Sequence, residues 1–124
     1  MLVVEDNPDV AGFAAAMLEG LGYATRRAGN TADALDLLGN GERVDAVFSD
    51  VVMPGDLNGI QLASMLRRHH PHLAVVLATG YSEVLAEWQG RTDVEVLGKP
   101  YRLDDLAAAL RRAFAAADAA RTGT

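Results

Sequence analysis

The chain has 124 residues, enough for one domain with a real core, and 17 acidic against 11 basic residues give a formal charge of -6. That balance argues against non-specific attraction to nucleic acid, which takes clustered Lys and Arg to neutralise phosphates. With no cysteine and no apolar run near the roughly 20 residues that span a bilayer, disulfides, thiolate metal sites and membrane insertion are excluded, and a cytoplasmic protein is expected.

Met1 to Val4 is apolar and β-favouring, and Glu5-Asp6-Asn7-Pro8-Asp9 follows with Pro placed to open a helix, so two adjacent carboxylates stand at the end of a first strand. Val10, Phe13, Ala14, Met17, Leu18 and Leu21 fall three and four apart and predict one apolar face of a helix that Gly20 and Gly22 end. Tyr23 to Ala28 is a short strand whose Arg26 and Arg27 suit a sheet edge. Asn30 or Thr31 caps a second helix through Leu38.

Val44 to Val52 is nearly unbroken in its apolar character until Asp50, and Pro54-Gly55 then stop regular structure, so the segment predicts a buried strand ending on a carboxylate. Asp also caps turns without any further role, but a half-buried anion must be paired, metal-bound or protonated. Ile60, Leu62, Ala63 and Leu66 outline a third helix ending before Pro71. Leu73 to Ala78 is a fourth strand running into Thr79-Gly80-Tyr81-Ser82. A short fourth helix, Glu83 to Gln89, has only Val84, Leu85 and Trp88 as anchors. Val94 to Leu97 is a fifth strand leading to Gly98-Lys99-Pro100-Tyr101, and a last helix runs from near Leu103 to about Ala117 with Asp104 and Asp105 in its first turn. The domain is expected to cover residues 1–117, with 118–124 as a tail or linker.

Five strands alternating with five helices predict an α/β fold, a doubly wound five-stranded parallel sheet with right-handed crossovers. Ligands of such sheets bind at the carboxyl ends of the strands, near the point where strand order reverses. There the chain places Glu5 and Asp6, Asp50, Thr79 and Lys99. Three converging carboxylates repel one another unless a cation sits among them, and hard oxygen donors suit magnesium, or manganese in its place. With a cationic clamp in Lys99 and a hydroxyl donor in Thr79, these are the parts of a phosphoryl-transfer site in which Asp50 is the nucleophile and forms an acyl phosphate. His69, His70 and His72 flank Pro71 at a helix end, where cations are favoured without any metal.

Four segments, Val3-Val4-Glu5-Asp6-Asn7-Pro8, Asp50-Val51-Val52-Met53-Pro54-Gly55 with Asn58-Gly59, Ala78-Thr79-Gly80 and Gly98-Lys99-Pro100-Tyr101, together resemble the response-regulator receiver domains of two-component phosphorelays, in family order. The resemblance implies a flavodoxin-like (βα)5 fold with strand order 2-1-3-4-5. It implies phosphorylation of Asp50 by a histidine kinase or phosphotransfer protein, with magnesium held by Glu5, Asp6, Asp50 and the carbonyl of Val52. Thr79 and Lys99 would contact the phosphoryl group and relay it to the surface of the fourth helix, fifth strand and fifth helix.

The chain departs from the family at Val96, where an aromatic residue is usual three positions before the lysine, and at Gly80, where Ala commonly follows the Thr. Leu77-Ala78-Thr79-Gly80-Tyr81-Ser82 resembles a subset of receivers, many of them appended to histidine kinases or standing alone, and Tyr81 is expected to replace the missing aromatic, making Thr79, Gly80 and Tyr81 the switch. These residues hold no output domain, so the output partner lies elsewhere, and either a stand-alone receiver or a segment of a longer chain such as a hybrid kinase is expected. The outer helices leave room for a homodimer. Three other readings compete: a degenerate receiver that only binds a partner, a flavin or nucleotide binder, and an Asp-nucleophile phosphohydrolase, which wants a general acid at position 52, where this chain has Val.

Overall fold

A computed structural model of the chain describes residues 1–41, 44–51, 59–80 and 94–121. In chain order the elements are β1 (Leu2–Val4), α1 (Pro8–Gly20), β2 (Arg26–Ala28), α2 (Thr31–Gly39), β3 (Ala46–Asp50), α3 (Gly59–His69), β4 (Ala74–Thr79), β5 (Glu95–Gly98) and α4 (Leu103–Arg121). The strands form one parallel sheet in the order β2-β1-β3-β4-β5, as expected, with the arginine-bearing β2 at an edge. The expected helix over 83–89, with Trp88, lies outside the described residues.

Successive strand residues point to opposite faces, and the core divides accordingly. One cluster joins Val47, Val75 and Leu77 to Ala34 of α2 and Leu62, Ala63 and Leu66 of α3. The other joins Val3, Phe48, Val76 and Ala78 to Ala14 and Leu18 of α1 and Leu106, Leu110 and Ala113 of α4. Both faces are thus covered. Leu18, Leu62, Leu66, Leu106 and Leu110 are fully buried, each contributing about 1.5–3 kcal/mol by removal from water.

Each helix starts where its local chemistry permits. The Asn7 side chain accepts from the amides of Asp9 (2.9 Å) and Val10 (3.2 Å), and Asn30 accepts from Asp33 N (2.8 Å), so both helices open on a capped turn. After α1 the chain turns away at Gly22, whose φ of 100° is open to glycine at little cost.

The structure corrects the expected face of α1. Its buried residues are Ala11, Ala14, Ala15 and Leu18, while Val10 and Phe13 are 43% and 69% exposed. The alanines let the helix lie close to the sheet, so Val10 and Phe13 are turned outward, while Ala14 and Leu18 are buried as expected and Met17 and Leu21 pack against the core. β2 is also shorter than the expected Tyr23–Ala28, β4 and β5 each begin one residue later than expected, and α4 runs past Ala117 to Arg121. An ion pair between Arg112 Nε and Glu95 Oε2 (3.0 Å) ties α4 to β5.

Candidate functional site

Asp50 is the last residue of β3 and pairs in register with Ala78 of β4, so the strand places its carboxylate at the carboxyl edge of the sheet, on the face shared with Phe48. Backbone bonds fix this edge. Val51 N donates both to Ala78 O (3.1 Å) and to Asp50 Oδ1 (3.0 Å), and Ser49 Oγ donates to the Asp50 carbonyl (2.9 Å). Gly59, at the head of α3, donates its N–H to Val51 O at 2.8 Å. A side chain there has no room: a Cβ on Gly59 would fall 2.8 Å from Val51 Cα and closer still to the Asp50 carbonyl oxygen. Gly59 is therefore a packing requirement behind the acceptor, a role not evident from the sequence alone.

On the neighbouring strand, Glu5 N donates to Ala28 O (3.0 Å), carrying the β1–β2 pairing one residue past Val4. Glu5 Oε1 accepts from Asn7 N (3.2 Å), so the residue that caps α1 also holds the acidic turn. One carboxylate oxygen from each of Glu5, Asp6 and Asp50 lies within 4.8 Å of the others, the one cluster of three potential metal ligands among the described residues. From the other side, Lys99 N donates to Thr79 O (2.7 Å) and Lys99 Nζ meets Asp50 Oδ1 at 3.0 Å. The Lys99–Pro100 peptide is cis.

The electrostatics follow from this crowding. Three carboxylates face one ammonium, and burial pushes the Glu5 carboxyl up to about 7, with the Asp50 charge and a hydrogen bond with Asp6 acting in the same sense against the Asn7 N–H and Lys99. Tyr101 is also raised above its ordinary value, by burial and then by the charges of Glu5 and Asp50. A hard divalent cation fits the donor set: the ligands are oxygens, they already converge, and three carboxylates share the single ammonium of Lys99.

Of the site residues read from sequence, the structure brings Glu5, Asp6, Asp50 and Lys99 together. Thr79 is the terminal residue of β4, one position beyond the partner of Asp50, and is 2% exposed. Gly80 follows it at the surface, while Val52 and Tyr81 lie outside the described residues. Val96, at the position usually aromatic, is partly buried against the α2–α3 side of the core. Among the described residues His69, His70 and His72 belong to no cluster of three metal-ligating groups, although His70 and His72 meet edge to face at 6.3 Å.

An α/β sheet with this strand order and three acidic groups opposite a lysine at its carboxyl edge defines a phosphoacceptor-type architecture. The chain belongs to the response regulator receiver domain family, whose model it matches over residues 1–111. It is 31% identical over 119 residues to the response regulator receiver protein CpdR of Brucella abortus, covering 94% of this chain and 98% of that one. It is 30% identical over 117 residues to the nitrogen assimilation regulatory protein NtrX of Azorhizobium caulinodans, covering 92% of this chain but only 26% of that protein's length. Among solved structures it resembles the response regulator TrrA of Thermotoga maritima, described as a complex with Mg(2+)-BeF, with TM-score 0.75, 26% identity and coverage of 90% and 96%. Receiver domains are signalling phosphoacceptors rather than typical enzymes, and they bind magnesium at an acidic pocket.

Proposed function

We propose that this receiver domain is a signalling switch whose acceptor is Asp50, phosphorylated from a histidine kinase or phosphotransfer protein in the cytoplasm. The observation that carries this is the convergence of Glu5, Asp6 and Asp50 within 4.8 Å, with the Lys99 ammonium 3.0 Å from Asp50. Among the described residues the polar contacts to the Asp50 carboxylate fall on Oδ1, which suits Oδ2 to attack. In the transfer, that oxygen bonds to phosphorus as the bond to the donor nitrogen breaks, and the electron pair leaves with the imidazole.

Glu5, Asp6, Asp50 and the Val52 carbonyl would hold magnesium, which supplies charge neutralisation for the incoming phosphoryl oxygens. The TrrA complex with Mg(2+)-BeF supports magnesium as the ion. The remaining work falls to side chains. Lys99 releases Asp50 to take up a phosphoryl oxygen, and the Thr79 hydroxyl donates to another. Thr79, Gly80 and Tyr81 form the switch, and the surface changed is that of the segment following β4, with β5 and α4. The domain promotes its own phosphorylation and dephosphorylation and has no turnover substrate. A hydrolase reading loses support from Val52, which offers no general acid.

Intact-mass measurement after incubation with magnesium and phosphoramidate tests this. One labile phosphoryl group is expected on the native protein, and none on Asp50→Asn or after chelation of the metal. Equal uptake by Asp50→Asn would overturn the assignment.

A further inference from the structure

The pocket that carries Asp50 is not lined by charged residues alone. Beside Glu5, Asp50 and Lys99 it is walled by Val10, Phe48 and Tyr101, and its volume of about 20 Å³ is room for little more than one water molecule. Tyr101 stands two residues after Lys99, and its ring meets that of Phe48 edge to face, with centroids 5.8 Å apart and planes at 85°. Phe48 is 4% exposed and lies two residues before Asp50 on the same face of β3, so the Tyr101 ring is seated on a fixed base next to the acceptor. Nothing in the acceptor chemistry requires an aromatic there.

We propose that the Tyr101 ring is a wall that restricts water's access to a phosphoryl group on Asp50 and so sets the lifetime of the phosphorylated state. This rests on the acceptor reading above. In the hydrolysis it limits, a water oxygen bonds to phosphorus, the bond between phosphorus and the Asp50 oxygen breaks, the carboxylate keeps the electron pair, and the water proton passes to solvent. The wall acts through the ring, which Phe48 holds in place, and not through the hydroxyl. An apolar ring lining the small pocket that carries Asp50 leaves less room there for a water to reach the phosphorus.

The test phosphorylates native protein, Tyr101→Phe and Tyr101→Ala with phosphoramidate and magnesium, removes the donor, and follows loss of the phosphoryl group by intact mass. Tyr101→Phe is expected to decay at the native rate, and Tyr101→Ala at least about threefold faster, as water gains entry. Uptake should be at least as fast in Tyr101→Ala as in native protein, whereas a site merely damaged by the substitution takes up phosphoryl more slowly. Should the alanine variant not fold, Tyr101→Leu, which lacks the breadth of the ring, replaces it with the same expected acceleration. Decay of the alanine or leucine variant at the native rate overturns the wall, as does decay of Tyr101→Phe as fast as theirs. No uptake by native protein overturns the acceptor reading and the wall with it.

Discussion

The same substitution at two glycines should move stability in opposite directions. At Gly59 an added methyl would sit 2.8 Å from Val51 Cα and nearer still to the Asp50 carbonyl oxygen, both backbone atoms that cannot rotate away. Overpacking of this kind costs about 1–3 kcal/mol, and the head of α3 must back off to relieve it. Against this stands the gain of about 1 kcal/mol that alanine has over glycine inside a helix, of which Gly59, as the first helical residue, collects only part. The clash wins. At Gly12, mid-way along α1, the methyl meets only the Arg27 guanidinium at 3.7 Å, an ordinary contact with a side chain that can shift, so the helical gain stands nearly whole. With roughly 3–6 °C per kcal/mol for a domain of this size, Gly59→Ala should lower Tm by about 5 °C or more and Gly12→Ala should raise it by about 2–5 °C. Thermal unfolding followed by circular dichroism measures both. A Gly59→Ala protein as stable as native would show that α3 does not press on the acceptor strand, and a destabilised Gly12→Ala would show that α1 has no spare room there.

Three further outcomes are expected. Because the Glu5 carboxyl is raised from 4.5 to about 7 in the folded protein, the native state binds more protons than the unfolded one between these values. Stability should therefore fall as pH rises through that window, and Glu5→Gln should flatten the fall, as read from urea midpoints at its two ends. Phe13→Ala should change unfolding free energy by no more than about 0.5 kcal/mol, the scale of a surface substitution. Leu18→Ala, at a fully buried position on the same helix, should cost about 2–5 kcal/mol, and urea unfolding of the two variants decides whether the corrected face of α1 is right. Lys99→Met removes the ammonium that rests 3.0 Å from Asp50 and takes up a phosphoryl oxygen during transfer, where a charge-assisted contact is worth about 1.5–3 kcal/mol, and should slow phosphoryl uptake from phosphoramidate by roughly tenfold or more.

How much of this was legible in the sequence depended on how local the cause was. The strand ending on Asp50 could be read from an apolar run stopped by a carboxylate and Pro54, and the alternation of elements led to the parallel sheet, whose strand order came with the family resemblance. The acidic turn after β1 and Lys99 after β5 followed from the rule for strand ends, and the structure brings them to one place. The face of α1 was misread at its first turns, because Val10 and Phe13 hold the right spacing, whereas Ala11 and Ala15 carry little hydrophobic signal despite filling the helix–sheet contact; Ala14 and Leu18 were read correctly. Gly59 and Tyr101 were visible only as motif letters. What gives each its role is the approach of a distant segment, the Asp50 carbonyl in one case and the Phe48 ring in the other, and no periodicity records that.

The central claim, that the carboxylates at the sheet edge make Asp50 the phosphoryl acceptor, is tested most directly by chemical trapping. Borohydride reduces an aspartyl phosphate to homoserine, and peptide sequencing by mass spectrometry then locates the residue. The account predicts homoserine at position 50 and nowhere else, formed only when magnesium and a phosphodonor were both present. Homoserine at position 6 or 9, or a phosphoryl group carried on His69, His70 or His72, would contradict it.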